Sequence, residues 1–523
     1  MAVLATPSKG LSIFQNRPHP SISKAFSRIA IVLFVLILFS LSVDRIRNLN
    51  CHDGEHLVTQ LLNPEPFSAE VDEKPASNFQ QGNLQKLSRQ QITGEDTAGE
   101  LAVLCSQGNR VWNPNVIIEC PGLNGGFGNC RLDLLHCIRY VIEARVSMKL
   151  PTISRRSADD ITNFMTSDQV GLEYLIDEHH MRRTLNKDCP KLVIHPADYE
   201  DSRLRRLPAI SPVLDLHIDS HLEEGMPPEF AVPTAPEQWP PALDKWIESS
   251  TDGKPPSAES PVAFPLRSIM FTWPTSYDPP SLVRHFSELV RPLDDAKILA
   301  ASALLNMQER FGTHIAFRTR NEPSVHANAF VGIHLRVEKD ATDFHWLSYE
   351  DQINYVTQRL RGRQGGSTRH AATDMPDTDK MVIYVASGDE PGIAKLAEDV
   401  APITVVTKND LLPEDTPAGA ALRNMAWDQQ ALVDMLVLEH AGYFIGVRDS
   451  TFSWHLAMRR AAAVNWVVGG FPENCWLDKE QKRRSGCKSL LADNEEWRDD
   501  LSALVGNGHK EKVRHHFSTR SRI

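Results

Sequence analysis

Hydrophobic and polar positions alternate in blocks along the second half of the chain. Short apolar runs typical of buried strands precede stretches in which apolar residues recur every three or four positions, as in helices. The predicted strands are 330–335, 381–386, 403–407, 443–447 and 464–468, the predicted helices are 349–360, 393–399, 428–440 and 452–462, and 361–380 is predicted as a polar loop. This alternation implies a parallel sheet with helices on both faces.

A similar unit is predicted earlier in the chain. A β-branched run at 116–118 leads into a glycine-rich turn at 122–128, and apolar residues then recur at helical spacing from 132 to 146. Strand, glycine turn and helix in this order begin a Rossmann-like unit. Helical patterns return at 282–289 and 298–311. The segment 205–265, which precedes these helical patterns, is rich in proline and poor in periodic apolar residues, so we predict a long surface insertion there.

The N-terminal pattern predicts a membrane anchor. Residues 29–43 carry no charge, and four cations but no acid precede them. Cationic flanks stay on the cytosolic side, which predicts a cytosolic tail at 1–28, a transmembrane signal-anchor at 29–43 and a luminal body. The run is short for a span, and a cleaved signal peptide is the alternative. Polar composition interrupted by prolines predicts a disordered stem at 44–108.

Charge and cysteine content narrow the class of protein. A net charge of −11 argues against a dedicated nucleic-acid binder. All eight cysteines follow the anchor, where an oxidising lumen favours disulfides over zinc. Cys475 and Cys487 close a short loop and are the first candidates to pair, whereas Cys120 and Cys130 have no assigned partners. The Asp-x-Asp sequence at 377–379 lies in a polar linker, and we interpret it as solvated loop.

The glycine-rich segment is the first that could carry chemistry. A strand that opens into glycines before a helix lets backbone N–H groups approach an anion. The signal is weak when it stands alone. A tight turn, with Asn129 as the helix cap, is an equally good interpretation.

A second candidate follows the strand at 330–335. Ligands of open α/β sheets bind at the carboxyl ends of strands, and strand alternation places His334 and Arg336 on one side. Arg336 could bind a diphosphate with bidentate donors. The alternative is a surface ion-pair cluster of Arg336, Glu338 and Asp340.

A third candidate spans 446–453, where a strand end runs into a helix. The hydroxyl groups of Ser450 and Thr451 meet free N–H groups there, an arrangement that suits a phosphate. The alternative is that both residues are ordinary helix caps. Asp434 lies on the preceding helix, where it could also mark the edge of the buried stripe.

Together these segments resemble the motifs of the GDP-fucose-dependent O-fucosyltransferases and their α1,2 and α1,6 relatives. The similar segments are 125–129, 334–340, 384–390 and a C-terminal motif that combines Asp434, 444–446 and 450–453. They occur in the order of the family and lie between about 117 and 465. Four motifs in the right order are far more specific than any one of them.

The resemblance implies an α/β protein with a GT-B fold, in which two Rossmann-like domains with parallel sheets face one another. The N-terminal, acceptor-side domain would be 109–328, including the proline-rich insertion. The domain that binds the GDP-sugar would be 329–492, and 493–523 would be a C-terminal tail.

The resemblance also implies roles for individual residues. Arg336 would hold the β-phosphate and promote the departure of GDP, and Asn129 would line the reaction centre as the second catalytic residue. The implied donor-binding residues are Gly126, Phe127, Gly128, His334, Asp389, Asp434, Ser450, Thr451 and Phe452. Among these, the histidine would lie against the nucleotide, the aspartates would contact guanine or ribose, and 450–452 would bind the diphosphate.

The implied activity is inverting, metal-independent transfer of fucose from GDP-fucose to a hydroxyl, with no further cofactor. The acceptor would be Ser or Thr of a luminal protein, in the Golgi or the endoplasmic reticulum, with a glycan acceptor as the alternative. Some members place a glutamate, as general base, where this chain has Gly126. No base is therefore assigned, and a catalytically inactive scaffold that binds a nucleotide sugar stays open.

Overall fold

The structure is a computed structural model. It describes residues 99–156, 161, 167–222, 228, 231–267, 272–274, 277–315, 329–343, 346–365, 381–465, 491–492, 496–498 and 501–506, all within one compact unit, 57–523. In these ranges no helix combines the length and the apolar character that crossing a membrane requires. The predicted tail and anchor, 1–43, lie outside the described residues, as does most of the predicted stem.

Helices and parallel strands alternate through the described part of the chain. The helices are α1 (Glu100–Ser106), α2 (Phe127–Ala144), α3 (Glu178–Asp188), α4 (Trp239–Ser250), α5 (Pro280–Ser287), α6 (Asp294–Phe311), α7 (Lys339–Asp343), α8 (Tyr349–Gly365), α9 (Glu390–Asp399), α10 (Lys408–Leu411), α11 (Pro417–Asn424), α12 (Trp427–Glu439) and α13 (Thr451–Asn465). The strands are β1 (Asn113–Glu119), β2 (Val146–Lys149), β3 (Ile153–Ser154), β4 (Gln169–Val170), β5 (Ile194–His195), β6 (Arg205–Arg206), β7 (Ser220–His221), β8 (Val232–Pro233), β9 (Val262–Pro265), β10 (Val331–His334), β11 (Val382–Ala386), β12 (Thr404–Val406), β13 (Tyr443–Val447), β14 (Leu491–Ala492), β15 (Glu496–Arg498) and β16 (Ser502–Val505).

The N-terminal half is built on a five-stranded parallel sheet. Its strand order is β5-β2-β1-β9-β6, so β1 lies at the centre. Ile118 of β1 pairs with Met148 of β2 and Phe264 of β9, and all three residues are 0% exposed. The predicted strand at 116–118 and the helix after it are therefore confirmed as β1 and α2.

The prediction of a surface insertion at 205–265 is wrong. β6 and β9 from this segment belong to the sheet, and α4 buries Trp239 and Leu243. Its prolines stand where the chain tolerates them, since Pro240 is in the first turn of α4 and Pro265 ends β9. The high proline content made this segment look like a loop. It contains the short strand β9, which its neighbours in the sheet stabilise.

The predicted stem also extends too far towards the C-terminus. Residues 100–106 form α1, which buries Leu101, and Cys105 of α1 is bonded to Cys189. A disulfide attaches this end of the segment to the folded half, which its polar composition did not reveal.

The C-terminal half contains a second sheet, ordered β12-β11-β10-β13-β16 and entirely parallel up to that point. β15 and β14 continue it in antiparallel fashion. The first four predicted strands are confirmed. The fifth is wrong, because 464–465 belong to α13 and 466–468 lie outside the described residues. β16 takes the place of that strand, within the predicted C-terminal tail.

The order of the parallel strands fixes where this half can bind a ligand. Numbered along the chain they run 3-2-1-4-5, so the direction of winding reverses between β10 and β13. A crevice opens at such a reversal, outside the carboxyl ends of the strands. His334 ends β10 and Val447 ends β13. One apolar core extends from the N-terminal sheet through α6 and α12 to one face of this sheet, and a second core covers its other face.

Candidate functional site

The amino ends of α2 and α13 meet, which brings the first and third sequence motifs together. A methyl group added to Gly128 would lie 3.2 Å from the backbone oxygen of Thr451. Phe127 packs edge-on against His455, one turn into α13, with 5.9 Å between the ring centroids. Helix amino ends carry unpaired N–H groups and partial positive charge, so their convergence favours an anion.

His334 joins the second motif to the same place. It is buried, and its Nδ1 lies 2.7 Å from the hydroxyl oxygen of Ser453. That oxygen accepts the N–H of Val447 at 3.0 Å, so we assign its own proton to the bond with His334. The ring of Phe452 lies 4.5 Å from the imidazole. Burial lowers the pKa of His334 to about 3, so the imidazole is neutral at physiological pH.

Arg336 is held by carboxylates. Its guanidinium forms short ion pairs with Glu338 and Asp340, and its side chain is 12% exposed. Glu338 also accepts hydrogen bonds from the N–H of Gly388 at 2.7 Å and the hydroxyl of Ser387 at 3.3 Å. Burial alone would lower the pKa of Arg336, but the two carboxylates raise it above its ordinary value. The sequence analysis gave a surface ion-pair cluster of these three residues as the alternative to phosphate binding. The observed contacts match that cluster, but it is mostly buried.

The contact of Arg336 with these carboxylates limits its predicted role. A guanidinium that already binds two carboxylates can reach a phosphate only with its remaining N–H groups or by exchanging a partner. The predicted cation is present beside the switch point, but its side chain is largely buried and paired with carboxylates.

Arg156 is a residue of this region that the sequence analysis missed. Its backbone N–H donates to Asp428 of α12 at 3.1 Å, and Asp428 also accepts a short hydrogen bond from the hydroxyl of Tyr174. Its Nη2 lies 3.5 Å from Asp340, and its guanidinium lies 5.3 Å from the ring centroid of Trp427. These contacts join the two halves. The available sequence signal was a pair of arginines, 155–156, just after a strand of the N-terminal unit.

The two aspartates predicted to contact the nucleotide have partners within the protein. Asp389 caps α9 by accepting the N–H of Gly392 at 2.8 Å. Asp434 accepts the hydroxyl of Tyr384 at 2.7 Å and binds the amine of Lys408 at 2.7 Å. The observed contacts of both carboxylates thus serve the fold of the C-terminal half.

Asn129 and Ser450 lie where the two helices begin. The cap of α2 is Gly126, so Asn129 is inside the first turn and the cap interpretation is wrong. The buried Oδ1 of Asn129 has no hydrogen-bond partner among the described residues. Gly125, with φ 85°, adopts a left-handed conformation directly beside the Asn129 amide. Ser450 is buried and precedes α13 by one residue; its carbonyl accepts the N–H of Trp454 at 3.1 Å.

A disulfide fixes the glycine turn. Cys120, just after β1, is bonded to Cys137 inside α2, and Cys130 is a buried free thiol. The predicted pair of Cys475 and Cys487 lies outside the described residues. The bond fastens the end of the central strand to the helix whose amino end contributes to the site.

Among the described residues, no group of three or more His, Cys, Asp or Glu side chains is arranged to hold a metal ion. The Asp-x-Asp sequence at 377–379 lies outside them.

Comparison with known proteins gives structural likenesses alone. No protein-family model matches the chain, and no curated protein does so. The crystal structure of POFUT1 in complex with GDP-fucose is 14% identical, over 66% of this chain and 94% of that chain, with a TM-score of 0.37. NodZ alpha-1,6-fucosyltransferase co-crystallized with GDP is 11% identical, over 68% of this chain and 93% of that chain, with a TM-score of 0.31.

Fucosyltransferase NodZ from Bradyrhizobium gives the same picture. It is 11% identical, over 68% of this chain and 94% of that chain, with a TM-score of 0.31. The proposed function rests on the geometry of the site.

Proposed function

We propose that this chain is a glycosyltransferase that moves a fucosyl group from GDP-fucose to a hydroxyl. The observation that carries the proposal is the contact between Gly128 and Thr451 beside His334. It joins three separate sequence motifs at the switch point of a Rossmann-like sheet. Two helix amino ends meeting at such a crevice suit the diphosphate of a nucleotide sugar.

The proposed fold is GT-B, with the donor between the two Rossmann-like halves and mostly on the C-terminal one. The topology of both sheets supports this assignment. So do the hydrogen bonds across the halves, from Arg156 and Tyr174 of the N-terminal half to Asp428 of the C-terminal half.

The proposed chemistry is an inverting displacement at the anomeric carbon of fucose. Negative charge builds on the departing phosphate, and donors already in place stabilise it without reorganising. The N–H groups at the start of α13 and the hydroxyl of Thr451 supply such donors, and Arg336 can add its remaining N–H groups or exchange a carboxylate partner for the phosphate. We propose that these groups suffice without a metal ion.

Asn129 suits a position at the acceptor. Its Oδ1 is buried at the start of α2 without a partner among the described residues, and it can accept a hydrogen bond from an incoming hydroxyl. A buried acceptor without a partner is uncommon in native proteins and is often satisfied by a ligand or by water.

We further propose a luminal site in the Golgi or the endoplasmic reticulum, with residues 29–43 as the anchor. The cationic flank of this run supports the orientation, and two disulfides in the described residues fit an oxidising compartment. The proposed acceptor is Ser or Thr of a luminal protein, with a glycan as the alternative.

The test is a screen of labelled GDP-fucose, GDP-mannose and UDP-glucose with the full-length chain, against Ser/Thr peptides and glycans. We expect release of GDP from GDP-fucose and transfer of label to one acceptor class, with the linkage configuration read by NMR. Binding of GDP with neither transfer nor slow hydrolysis supports the inactive scaffold. Failure to bind GDP, together with no turnover of any donor, refutes the proposal.

A further inference from the structure

Arg156 is largely buried and has several contacts, and its guanidinium has no role in the site described above. The side chain is 13% exposed, its backbone N–H is bonded to Asp428, and its guanidinium lies against the ring of Trp427. A flexible, rotamer-rich side chain has thus been ordered at an entropic cost. Such ordering indicates a function in the fold or at the site.

The hydrogen bonds of the guanidinium are few and long. Nη2 lies 3.3 Å from the carbonyl oxygen of Ile161 and 3.5 Å from Asp340, both beyond the usual range for N–H donors. The buried Nε has no hydrogen-bond partner among the described residues. Buried donors are nearly always paired in native structures, so this group is suited to a ligand.

The guanidinium faces the amino end of α2. A methyl group added to Gly126 would lie 3.9 Å from Nη1 of Arg156. Nη1 therefore lies close to the point at which α2 meets α13. Because Gly126 has no side chain, nothing from that residue stands between the guanidinium and the helix end.

Two guanidinium groups converge on one carboxylate oxygen. Oδ2 of Asp340 forms the short pair with Arg336 and the long one with Arg156. Arg336 satisfies this oxygen, which leaves Arg156 with the weaker contact. A phosphate could replace the 3.5 Å contact of Arg156 with Asp340 by a closer charge-assisted bond, while Asp340 stays paired with Arg336.

We propose that Arg156 binds the sugar-proximal phosphate of the donor from the N-terminal half, giving up its long contact with Asp340. This inference rests on the proposed function, in which the nucleoside lies on the C-terminal half. A group from the opposite half then reaches the phosphate next to the sugar. Arg156 would thereby link donor binding to the contact between the halves.

The test is the affinity of the full-length chain for GDP and for GMP, measured by calorimetry. Arg156→Gln removes the cation, and Arg156→Lys keeps the charge without the paired N–H donors of the guanidinium. Arg155→Gln is the matched control, because the Arg155 guanidinium lies over the ring of Tyr174, 5.3 Å from its centroid. Its substitution removes the same charge one position away.

We expect Arg156→Gln to weaken GDP binding by about 10- to 100-fold while GMP binding changes little, since charge-assisted bonds are the strong ones. Arg156→Lys should recover part of the preference for GDP, and Arg155→Gln should keep all of it. These results would support contact with the terminal phosphate.

The inference is overturned if Arg156→Gln keeps the wild-type ratio of affinities for GDP and GMP. This holds both when neither affinity changes and when both fall by the same factor. A loss of the preference in Arg155→Gln as large as that in Arg156→Gln also overturns it. In each of these cases a wild-type preference for GDP leaves the proposed function standing. Absence of GDP binding by the wild type, together with no turnover of any donor, refutes both the inference and the proposed function.

Discussion

Gly128 of α2 lies directly against the backbone of Thr451 at the start of α13. An added methyl group would lie 3.2 Å from the carbonyl oxygen and 3.3 Å from the carbonyl carbon of Thr451. Backbone atoms cannot turn aside as the end of a flexible side chain can. The two helix ends therefore approach one another only because position 128 has no side chain.

Replacing Gly128 by alanine should separate the two helix ends by a few tenths of an ångström. We expect GDP binding and fucosyl transfer to fall by at least about 10-fold, because small misplacements at a site are costly. The free energy of unfolding should change by less than about 2 kcal/mol, since better helix propensity offsets overpacking. Gly122→Ala is the control, because its added methyl meets nothing within 4 Å. Wild-type turnover in Gly128→Ala would contradict the assignment of the site to the place where α2 meets α13.

Removing Arg336 should affect the fold as well as the activity. Arg336→Ala leaves Glu338 and Asp340 buried without their cation, so we expect the free energy of unfolding to fall by about 3–5 kcal/mol. Denaturant unfolding measures this loss.

A triple variant separates stability from chemistry at this cluster. Arg336→Met with Glu338→Gln and Asp340→Asn removes the cation and both anions, and should recover most of the lost stability. We expect it to remain inactive in transfer of labelled fucose. A stable triple variant with normal turnover would exclude Arg336 from the mechanism.

Asp434 should prove to be a structural residue. Its carboxylate binds Tyr384 and Lys408, so Asp434→Ala should lower the free energy of unfolding by about 1–3 kcal/mol through unpaired buried groups. The preference for GDP over ADP, measured by calorimetry, should stay the same. Loss of the preference for GDP over ADP would instead support the contact between Asp434 and guanine that the motif resemblance implies.

His334 should make stability depend on pH. Burial lowers its pKa to about 3 from an ordinary 6.5, so between these values the unfolded chain binds a proton that the folded chain does not. The free energy of unfolding should fall as pH decreases through this window, by up to about 1.4 kcal/mol per pH unit from this residue. Its contribution is fully present above pH 6.5.

The matched variants for this test are His334→Asn and His217→Asn. His217 is exposed, and asparagine tolerates its positive φ of 53°. We expect a shallower dependence of unfolding free energy on pH between 4.5 and 6.5 in His334→Asn, and an unchanged one in His217→Asn. Equal slopes in the wild type and His334→Asn would show that His334 does not carry the effect.

The sequence by itself determined the order and type of most elements of the C-terminal half and of the first strand and helix of the N-terminal half. It also placed 126–129, 334 and 450–453 at strand or helix ends. These features follow from local periodicity and from glycine positions, which a single chain segment carries within itself.

Only the tertiary structure decided which strands pair and which distant side chains meet. β9 is an interior strand of the first sheet that comes from a proline-rich stretch, and β16 is the last parallel strand of the second sheet, far beyond the last predicted strand, because neighbouring strands supply the burial and the hydrogen bonds. Arg336 is held by carboxylates, and Arg156 reaches Asp340 from 184 positions away. No local pattern records such contacts, since their free energy arises only when distant segments pack together.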